Sequence, residues 1–230
     1  MAVDRKFIYD NPWLRTLPPE IVDTLSAKAV MRRLINDELW VSRTEHAAGI
    51  AIIVEGGLRS VTFTSDGKEY VFSIMKKGDI WGLVSTIDGI NNANDVYAHG
   101  TTTILTIDRH TTLACMDEHA VFARCLMDIF CHRLRMANRV LEDRALQPMD
   151  VRLARLLLSL RGGDSNDGEH DLVVTQDMLA RILGCTRPTV NKQLQQLERD
   201  NLIVITYGRI RLTDISKITR LSGHGDYLYF

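Results

Sequence analysis

Four polar side chains in the last third of the chain have the types and spacing expected of a surface that reads DNA. They are Arg187, Asn191, Lys192 and Gln195, within the segment LGCTRPTVNKQLQQLE. At 100° per residue of an α-helix they gather on one face, while Val190, Leu194 and Leu197 form a separate apolar stripe. Arginine and lysine suit guanine edges, and asparagine and glutamine suit adenine edges. The segment therefore predicts a helix that contacts bases.

A proline in this segment indicates where that helix begins. Inside a helix, Pro188 would cost about 3 kcal/mol. Thr186 can cap the helix two residues earlier, which places Pro188 in the first turn, where no intrahelical N–H bond is required. Upstream, Thr175 can cap a shorter helix that ends at Gly184. The sequence thus predicts two successive short helices joined by a tight turn.

The offsets between small and aliphatic residues favour a helix-turn-helix. Ala180 is small where two crossing helices approach closely, Gly184 lies in the turn, and Val190 points back between the helices. The following LIVITYGRIRL is typical of a β-hairpin. Arg209 and Arg211 alternate with apolar residues, so both leave one strand face and form a wing suited to phosphate contact.

Two upstream regions would support this unit. Residues from about 40 to 108 are predicted to form an antiparallel barrel or sandwich, because VTFT and YVFSIM flank the hairpin signal SDGK. Residues 117 to 146 predict a helix about 42 Å long. Its apolar stripe comprises Leu126, Phe130, Leu134, Ala137 and Leu141. The stripe could pack on the chain's own barrel, but its length favours a dimer seam.

Composition restricts the function classes. The chain has 230 residues, 45% of them hydrophobic, and a net charge of -1, so nucleic-acid binding must come from a local patch. No apolar run suggests a signal peptide or a membrane span. The scattered cysteines, Cys115, Cys125, Cys131 and Cys185, form no disulfide or metal-ligand pattern and indicate a cytoplasmic protein. A thiol redox switch remains an alternative.

The segment LARILGCTRPTVNKQLQQLERDNLI resembles the helix-turn-helix signature of the CRP/FNR family of bacterial transcription regulators. The resemblance implies an α+β fold with three parts. They are an N-terminal antiparallel β-barrel (a cyclic-nucleotide-binding-like jelly roll) in residues 1–116, a long dimerisation helix in residues 117–146, and a winged helix-turn-helix in residues 147–230. It also implies a homodimer on a roughly palindromic DNA site, and RNA polymerase contact through residues 162–170.

The family's DNA contacts can be carried over residue by residue. Arg187 matches the base-reading arginine of the family, and Thr175 matches a position that contacts phosphate in some members. Pro188 stands where many members have glutamate, and Lys192 where several have arginine. The predicted DNA-binding residues are Thr175, Thr186, Arg187, Thr189, Asn191, Lys192, Gln195, Arg209 and Arg211.

The sensor half departs from the family's cyclic-nucleotide pattern. Leu83 follows Gly82 where those members have glutamate, and Asn94 and Asp95 stand where they have arginine and a hydroxyl residue. No arginine or lysine lies between residues 77 and 109, so a cyclic phosphate would find no cation there. We therefore expect an effector other than cyclic AMP or GMP. A small uncharged or aromatic ligand is an alternative, with Asn138 of the long helix as a polar contact.

The cysteines, histidines and acidic residues bear on other cofactors and functions. An N-terminal iron–sulfur cluster is not expected, since no cysteine precedes Cys115. Haem is an alternative, with His99 and His132 as candidate ligands, and no other metal site is predicted. An enzyme is disfavoured because phosphate loops, nucleophile elbows and catalytic carboxylate pairs are missing, Asp79 and Asp88 being typical turn residues. The remaining alternative is a ligand-binding interaction module without DNA binding.

Overall fold

A computed structural model describes residues 3–46, 49–67, 69–161 and 171–223. The chain divides into two compact units, residues 1–66 with 72–133 and residues 67–71 with 134–230. The division falls inside the long helix, whereas the sequence analysis placed a domain boundary at residue 116, which lies within the preceding helix. Within the described ranges, no helix combines the length and apolar content needed to cross a bilayer.

The helices of the described residues include the long helix and the two short helices that the sequence predicts. They are α1 (Lys6–Tyr9), α2 (Pro19–Lys28), α3 (Leu83–Asp88), α4 (Arg109–Glu118), α5 (Ala120–Leu146), α6 (Met149–Leu160), α7 (Gln176–Leu183), α8 (Arg187–Arg199) and α9 (Ile215–Leu221). The long predicted helix is α5, and it begins after a break at His119, whose backbone is extended. Pro148 precedes α6 and separates it from α5.

The strands form two antiparallel sheets. They are β1 (Val30–Leu34), β2 (Leu39–Val41), β3 (Gly49–Phe63), β4 (Glu69–Lys76), β5 (Ile80–Trp81), β6 (Asp95–Asp108), β7 (Asp171–Val173), β8 (Ile203–Thr206) and β9 (Arg209–Leu212). The first sheet has the order β1-β6-β3-β4, with β2 paired to β6 and β5 to β3. Among the described strands β1 and β4 do not pair. The predicted barrel is therefore corrected to an open antiparallel sheet, and the α+β class is confirmed.

The first half of β3 is buried on both faces of the sheet, and its alternate residues point to opposite sides. Ile50 and Ile52 join one apolar cluster, and Ala51 and Ile53 join the other. The first of these clusters also contains Leu126 of α5, which has no exposed surface. Leu126 was predicted to lie in a dimer seam, and this is corrected: the residue packs inside its own chain.

The second unit contains the three-stranded sheet β7-β9-β8 and the four helices α6 to α9. A buried ion pair joins Asp143, in the last turns of α5, to Arg155 of α6. The Arg155 Nε also donates a hydrogen bond to the Ser222 carbonyl, 2.7 Å away, just after α9. The end of the long helix is thus held to both α6 and α9 within this unit.

Candidate DNA interface and sensor site

The two helices of the predicted helix-turn-helix begin and end where their capping residues indicated. The Thr175 hydroxyl accepts a hydrogen bond from the Met178 N–H at 3.1 Å. Gly184 ends α7 in the left-handed conformation, with φ of 67°. The Thr186 hydroxyl accepts from the Thr189 N–H at 3.4 Å. Pro188 therefore lies in the first turn of α8, which confirms the predicted helix start.

The two faces of α8 separate as the spacing predicts. Val190, Leu194 and Leu197 are buried against the rest of the second unit. The opposite face is exposed and contains four of the predicted DNA-binding residues, Arg187, Thr189, Lys192 and Gln195. Across the described residues, neither Arg187 nor Lys192 has an acidic partner. Both cations are therefore available to an anionic ligand.

Asn191 differs from the other predicted DNA-binding residues because it already has a partner. Its side-chain oxygen Oδ1 accepts a hydrogen bond from Nε2 of Gln176, the first residue of α7, at 3.1 Å. Both side chains are half-buried. Sequence spacing missed Gln176 because the bond joins residues fifteen positions apart, on two different helices.

The two basic residues of the predicted wing differ in their surroundings. β8 and β9 form the expected hairpin, with the side chain of Tyr207 fully exposed at its tip. Arg209 is exposed and has no acidic partner among the described residues. Arg211, however, forms two hydrogen bonds with the Asp171 carboxylate, of 2.6 and 2.9 Å. The Arg211 charge is thus matched by a carboxylate that pairs β9 with β7, and its phosphate contact stays a prediction.

In the sensor unit, Gly82 and Leu83 have structural functions. Gly82 is left-handed, with φ of 89°, and a Cβ there would lie 2.4 Å from the Gly49 carbonyl oxygen. The next side chain, Leu83, is buried in the first apolar cluster at the start of α3. A glutamate could not occupy this apolar position without a large desolvation cost.

The other predicted pocket residues have surroundings of their own. The Asp95 carboxylate accepts hydrogen bonds from the Arg43 N–H at 2.8 Å and the Ser42 hydroxyl at 3.4 Å. Asn94 is half-buried, and Asn138 is exposed on the part of α5 that belongs to the second unit. Among the described residues, no hydrogen bond links any two of these five positions.

The long helix supplies a cation that the local sequence lacks. The Arg133 guanidinium of α5 donates a hydrogen bond to the carbonyl of Ile80, two residues before Gly82. Burial lowers the pKa of Arg133, and the nearby Asp79 charge opposes that shift. Arginine stays protonated despite such a shift. The absence of basic residues between positions 77 and 109 therefore does not leave this region without positive charge.

The cysteines and histidines of the described residues differ in their surroundings. Burial is the main cause that raises the pKa of Cys115 and of Cys125 to about 11. Loss of hydration lowers the pKa of His99, and the Arg59 charge lowers it further. The His132 ring packs on Trp13 at 5.3 Å between centroids. Within the part of the chain that the structure describes, no three histidine, cysteine or acidic residues form a potential metal site.

Along α5, exposure defines a stripe that differs from the predicted one by a single residue. Leu134 and Leu141 are 56% and 63% exposed, and Ala137 is exposed as well. Phe130 is half-buried, while Met127, next to the buried Leu126, is 53% exposed. Four of the five predicted seam residues are thus at least partly exposed. In the exposed stripe, Met127 takes the position that the sequence assigned to Leu126. The polymerase-contact prediction for residues 162–170 lies outside the described residues.

Comparisons with known families agree with both halves of the chain. The Crp-like helix-turn-helix domain matches residues 151–221, and the cyclic nucleotide-binding domain matches residues 32–119. The HTH-type transcriptional regulator Cmr of Mycobacterium tuberculosis is 29% identical over 162 residues, covering 70% of this chain and 64% of the relative. The match therefore spans less than two thirds of the length of Cmr.

Further similarities extend over most of the chain. The CRP-like cAMP-activated global transcriptional regulator of the same species is 26% identical over 175 residues, covering 74% of this chain and 77% of the relative. FixK2 from Bradyrhizobium japonicum has a similar structure, with a TM-score of 0.75, 21% identity and coverage of 86% and 98%. A regulator of the crp/fnr family from Eubacterium rectale gives a TM-score of 0.74, 18% identity and coverage of 92% and 97%.

These matches and the capped helix-turn-helix identify the chain's relatives. The family is one of regulators, so the alternative of an enzyme is set aside. The sensor fold matches the family even where its cyclic-nucleotide residues are replaced. The chain belongs to the CRP/FNR family of transcription regulators.

Proposed function

We propose that this protein is a homodimeric transcription regulator that binds specific double-stranded DNA sequences through α8. The observation that carries the proposal is the exposed face of α8. It presents Arg187 and Lys192 without acidic partners in the described structure, above a fully buried apolar stripe. Arg209 of the wing adds a third such cation. Base-edge and phosphate contacts need these groups at an exposed helix and an adjacent wing.

The dimer is proposed to form along α5. Met127, Leu134 and Leu141 recur every seven residues, and Phe130 and Ala137 follow the first two by three. This is the a/d pattern of a two-stranded coiled coil. Exposed leucines on a lone helix face gain burial when a second copy covers them. Two recognition helices would then enter major grooves about 34 Å apart on a roughly palindromic site.

For the sensor unit we propose an effector other than cyclic AMP or GMP. A buried leucine, Leu83, replaces the family's ligand-binding glutamate, and Asp95 brings negative charge where a phosphate-binding arginine is needed. The related Mycobacterium tuberculosis regulator is named as cAMP-activated, and we propose that this chain differs from it in its effector. The Arg133 guanidinium supplies a positive charge for an anionic group on such an effector. Haem remains a proposal to test, and the raised thiol pKa values disfavour a redox switch.

The proposal also includes contact with RNA polymerase and a cytoplasmic location, where a regulator meets chromosomal DNA.

Binding to mixed genomic DNA tests the proposed DNA binding. We expect affinity to fall steeply with salt, since Arg187, Lys192 and Arg209 would displace counterions from phosphates. Native mass should give a dimer. Absent or salt-independent binding would instead favour a ligand-binding interaction module.

The effector can be tested separately. Protein purified from its host should be examined by its visible spectrum, which reports haem or a cluster. A thermal scan with 1 mM cyclic AMP or GMP should show no increase in melting temperature. A tightly bound effector would raise it, because binding to the folded state adds to its stability.

A further inference from the structure

One hydrogen bond bridges the two helices of the helix-turn-helix beside the base-reading face. Gln176 is the first residue of α7, directly after the capping residue Thr175. Asn191 lies four positions after Arg187, one helical turn further along α8. The Gln176 Nε2 donates to the Asn191 Oδ1 at 3.1 Å, and both side chains are half-buried. Partial burial restricts both amides and makes this contact stronger than a fully solvated one.

The direction of this bond decides what Asn191 can offer to DNA. A carboxamide has an accepting oxygen and a donating nitrogen on opposite sides of one planar group. Because Oδ1 faces Gln176, the Asn191 Nδ2 lies on the other side, and within the described residues it has no acceptor. Bidentate adenine recognition requires both atoms together, the oxygen accepting from N6 and the nitrogen donating to N7.

We infer that Gln176 is a positioning residue for base recognition. It holds Asn191 with the amide nitrogen toward the DNA, so that Asn191 acts as a donor. The favoured bases are those that present an acceptor in the major groove, guanine through O6 or N7, thymine through O4 and adenine through N7, whereas cytosine presents only a donor. This inference rests on the proposed function and specifies one base position in each half-site.

Selection of binding sites from a randomised double-stranded DNA library tests the inference. For the unchanged protein we expect cytosine to be disfavoured by roughly tenfold against the other three bases at one position of each half-site, as for one oriented hydrogen bond. Asn191→Ala should remove the preference at that position and keep the others. Gln176→Met, which keeps length but cannot donate, should shift the preference toward adenine, because the freed amide can accept from N6 and donate to N7 together.

Gln176→Glu gives the sharpest outcome. A carboxylate can only accept, so the Asn191 amide must turn its nitrogen toward residue 176 and its oxygen toward the DNA. The preference should then change to bases that present a donor, cytosine N4 or adenine N6. Gln193→Glu is the matched control, because it adds the same charge to α8, and in the described structure Gln193 has no hydrogen bond to Asn191.

Each result has one interpretation once circular dichroism shows that the variants are folded. A change of preference at one position in Gln176→Glu, but not in Gln193→Glu, supports the inference. Equal losses at all sites for Gln176→Glu and Gln176→Met, with the base profile unchanged, overturn it and leave Gln176 a general backbone contact. If the unchanged protein enriches no sequence at all, the proposed function fails, and this inference fails with it.

Discussion

The two units of the protein use their predicted functional residues in opposite ways. In the second unit Arg187 and Lys192 lie on the exposed face of a capped helix, free to contact a ligand. In the first unit Leu83 is part of the core, and Asp95 is engaged by Ser42 and Arg43. One regular helix is enough to present a DNA-reading face, whereas an effector site must be assembled from distant segments. Residue spacing therefore predicts a DNA-reading face better than it predicts an effector site.

The largest expected loss of stability comes from breaking the buried ion pair between the end of α5 and α6. Arg155→Met would leave Asp143 as a buried charge without its partner, and both side chains are at most 6% exposed. We expect a loss of about 3–5 kcal/mol in the free energy of unfolding. Urea unfolding measures it. Arg211→Met is the control: its pair with Asp171 is exposed on the arginine side and should cost at most about 1 kcal/mol. Similar losses would show that burial does not distinguish the two pairs.

A second pair of variants asks whether Leu83 is a core residue rather than a ligand contact. Leu83→Ala should lower stability by about 2–5 kcal/mol, because it opens a cavity in the first apolar cluster. Val84→Ala, at the next position in α3, changes a side chain that is 58% exposed and should shift stability by less than about 0.5 kcal/mol. Thermal unfolding of both variants measures the contrast. A mild effect of Leu83→Ala would return this residue to the candidate pocket.

The Cys125 thiol tests whether the sensor unit contains a redox switch. Its pKa is raised from 9.0 to about 11, first by burial and then by the Asp128 charge. Raising the pKa lowers the thiolate fraction at neutral pH, so alkylation at pH 7.5 should be roughly 100-fold slower than for an unperturbed thiol. The rate should rise with pH until about 11. Mass spectrometry of iodoacetamide labelling, with urea-unfolded protein as the reference, measures it. Rapid labelling of the folded protein would revive the redox alternative.

The smallest expected effect is a loss of DNA affinity on changing Tyr207 in the wing. Tyr207 is fully exposed at the hairpin tip, one residue before the turn glycine, and its hydroxyl can donate to a DNA phosphate. Tyr207→Phe should weaken binding by about threefold, as expected for one hydrogen bond, and equally for specific and random DNA. Fluorescence anisotropy with both DNAs distinguishes this from base reading. A loss confined to the specific site would make Tyr207 a specificity residue instead.

Much of the fold and part of the DNA interface could be predicted from local sequence. Thr175, Gly184, Thr186 and Pro188 specify helix ends through their own backbone preferences, and the structure has these ends in place. The exposed and buried faces of α8 followed from helical periodicity in the same way. Such features depend on residues a few positions apart, which a single sequence shows directly.

The features that local sequence did not predict are contacts between distant segments. The pair of Arg211 with Asp171, forty positions earlier, is one of them. Leu126 was assigned to a dimer seam because its helical stripe does not reveal which surface covers it. Arg133 reaches Ile80 from fifty-three positions away. Nothing in the local pattern around these residues indicates their partners.

The central claim is that α8 reads DNA sequence, and Arg187→Ala tests it most directly. Arg187 should form a base contact, so its loss should weaken binding to the selected site by about 1–3 kcal/mol. Arg199→Ala, at the other end of the same helix, is the charge-matched control. Both variants are titrated against the selected site and against random DNA. The account predicts that Arg187→Ala loses affinity for the selected site while its weak binding to random DNA persists. An equal loss on both DNAs would contradict it.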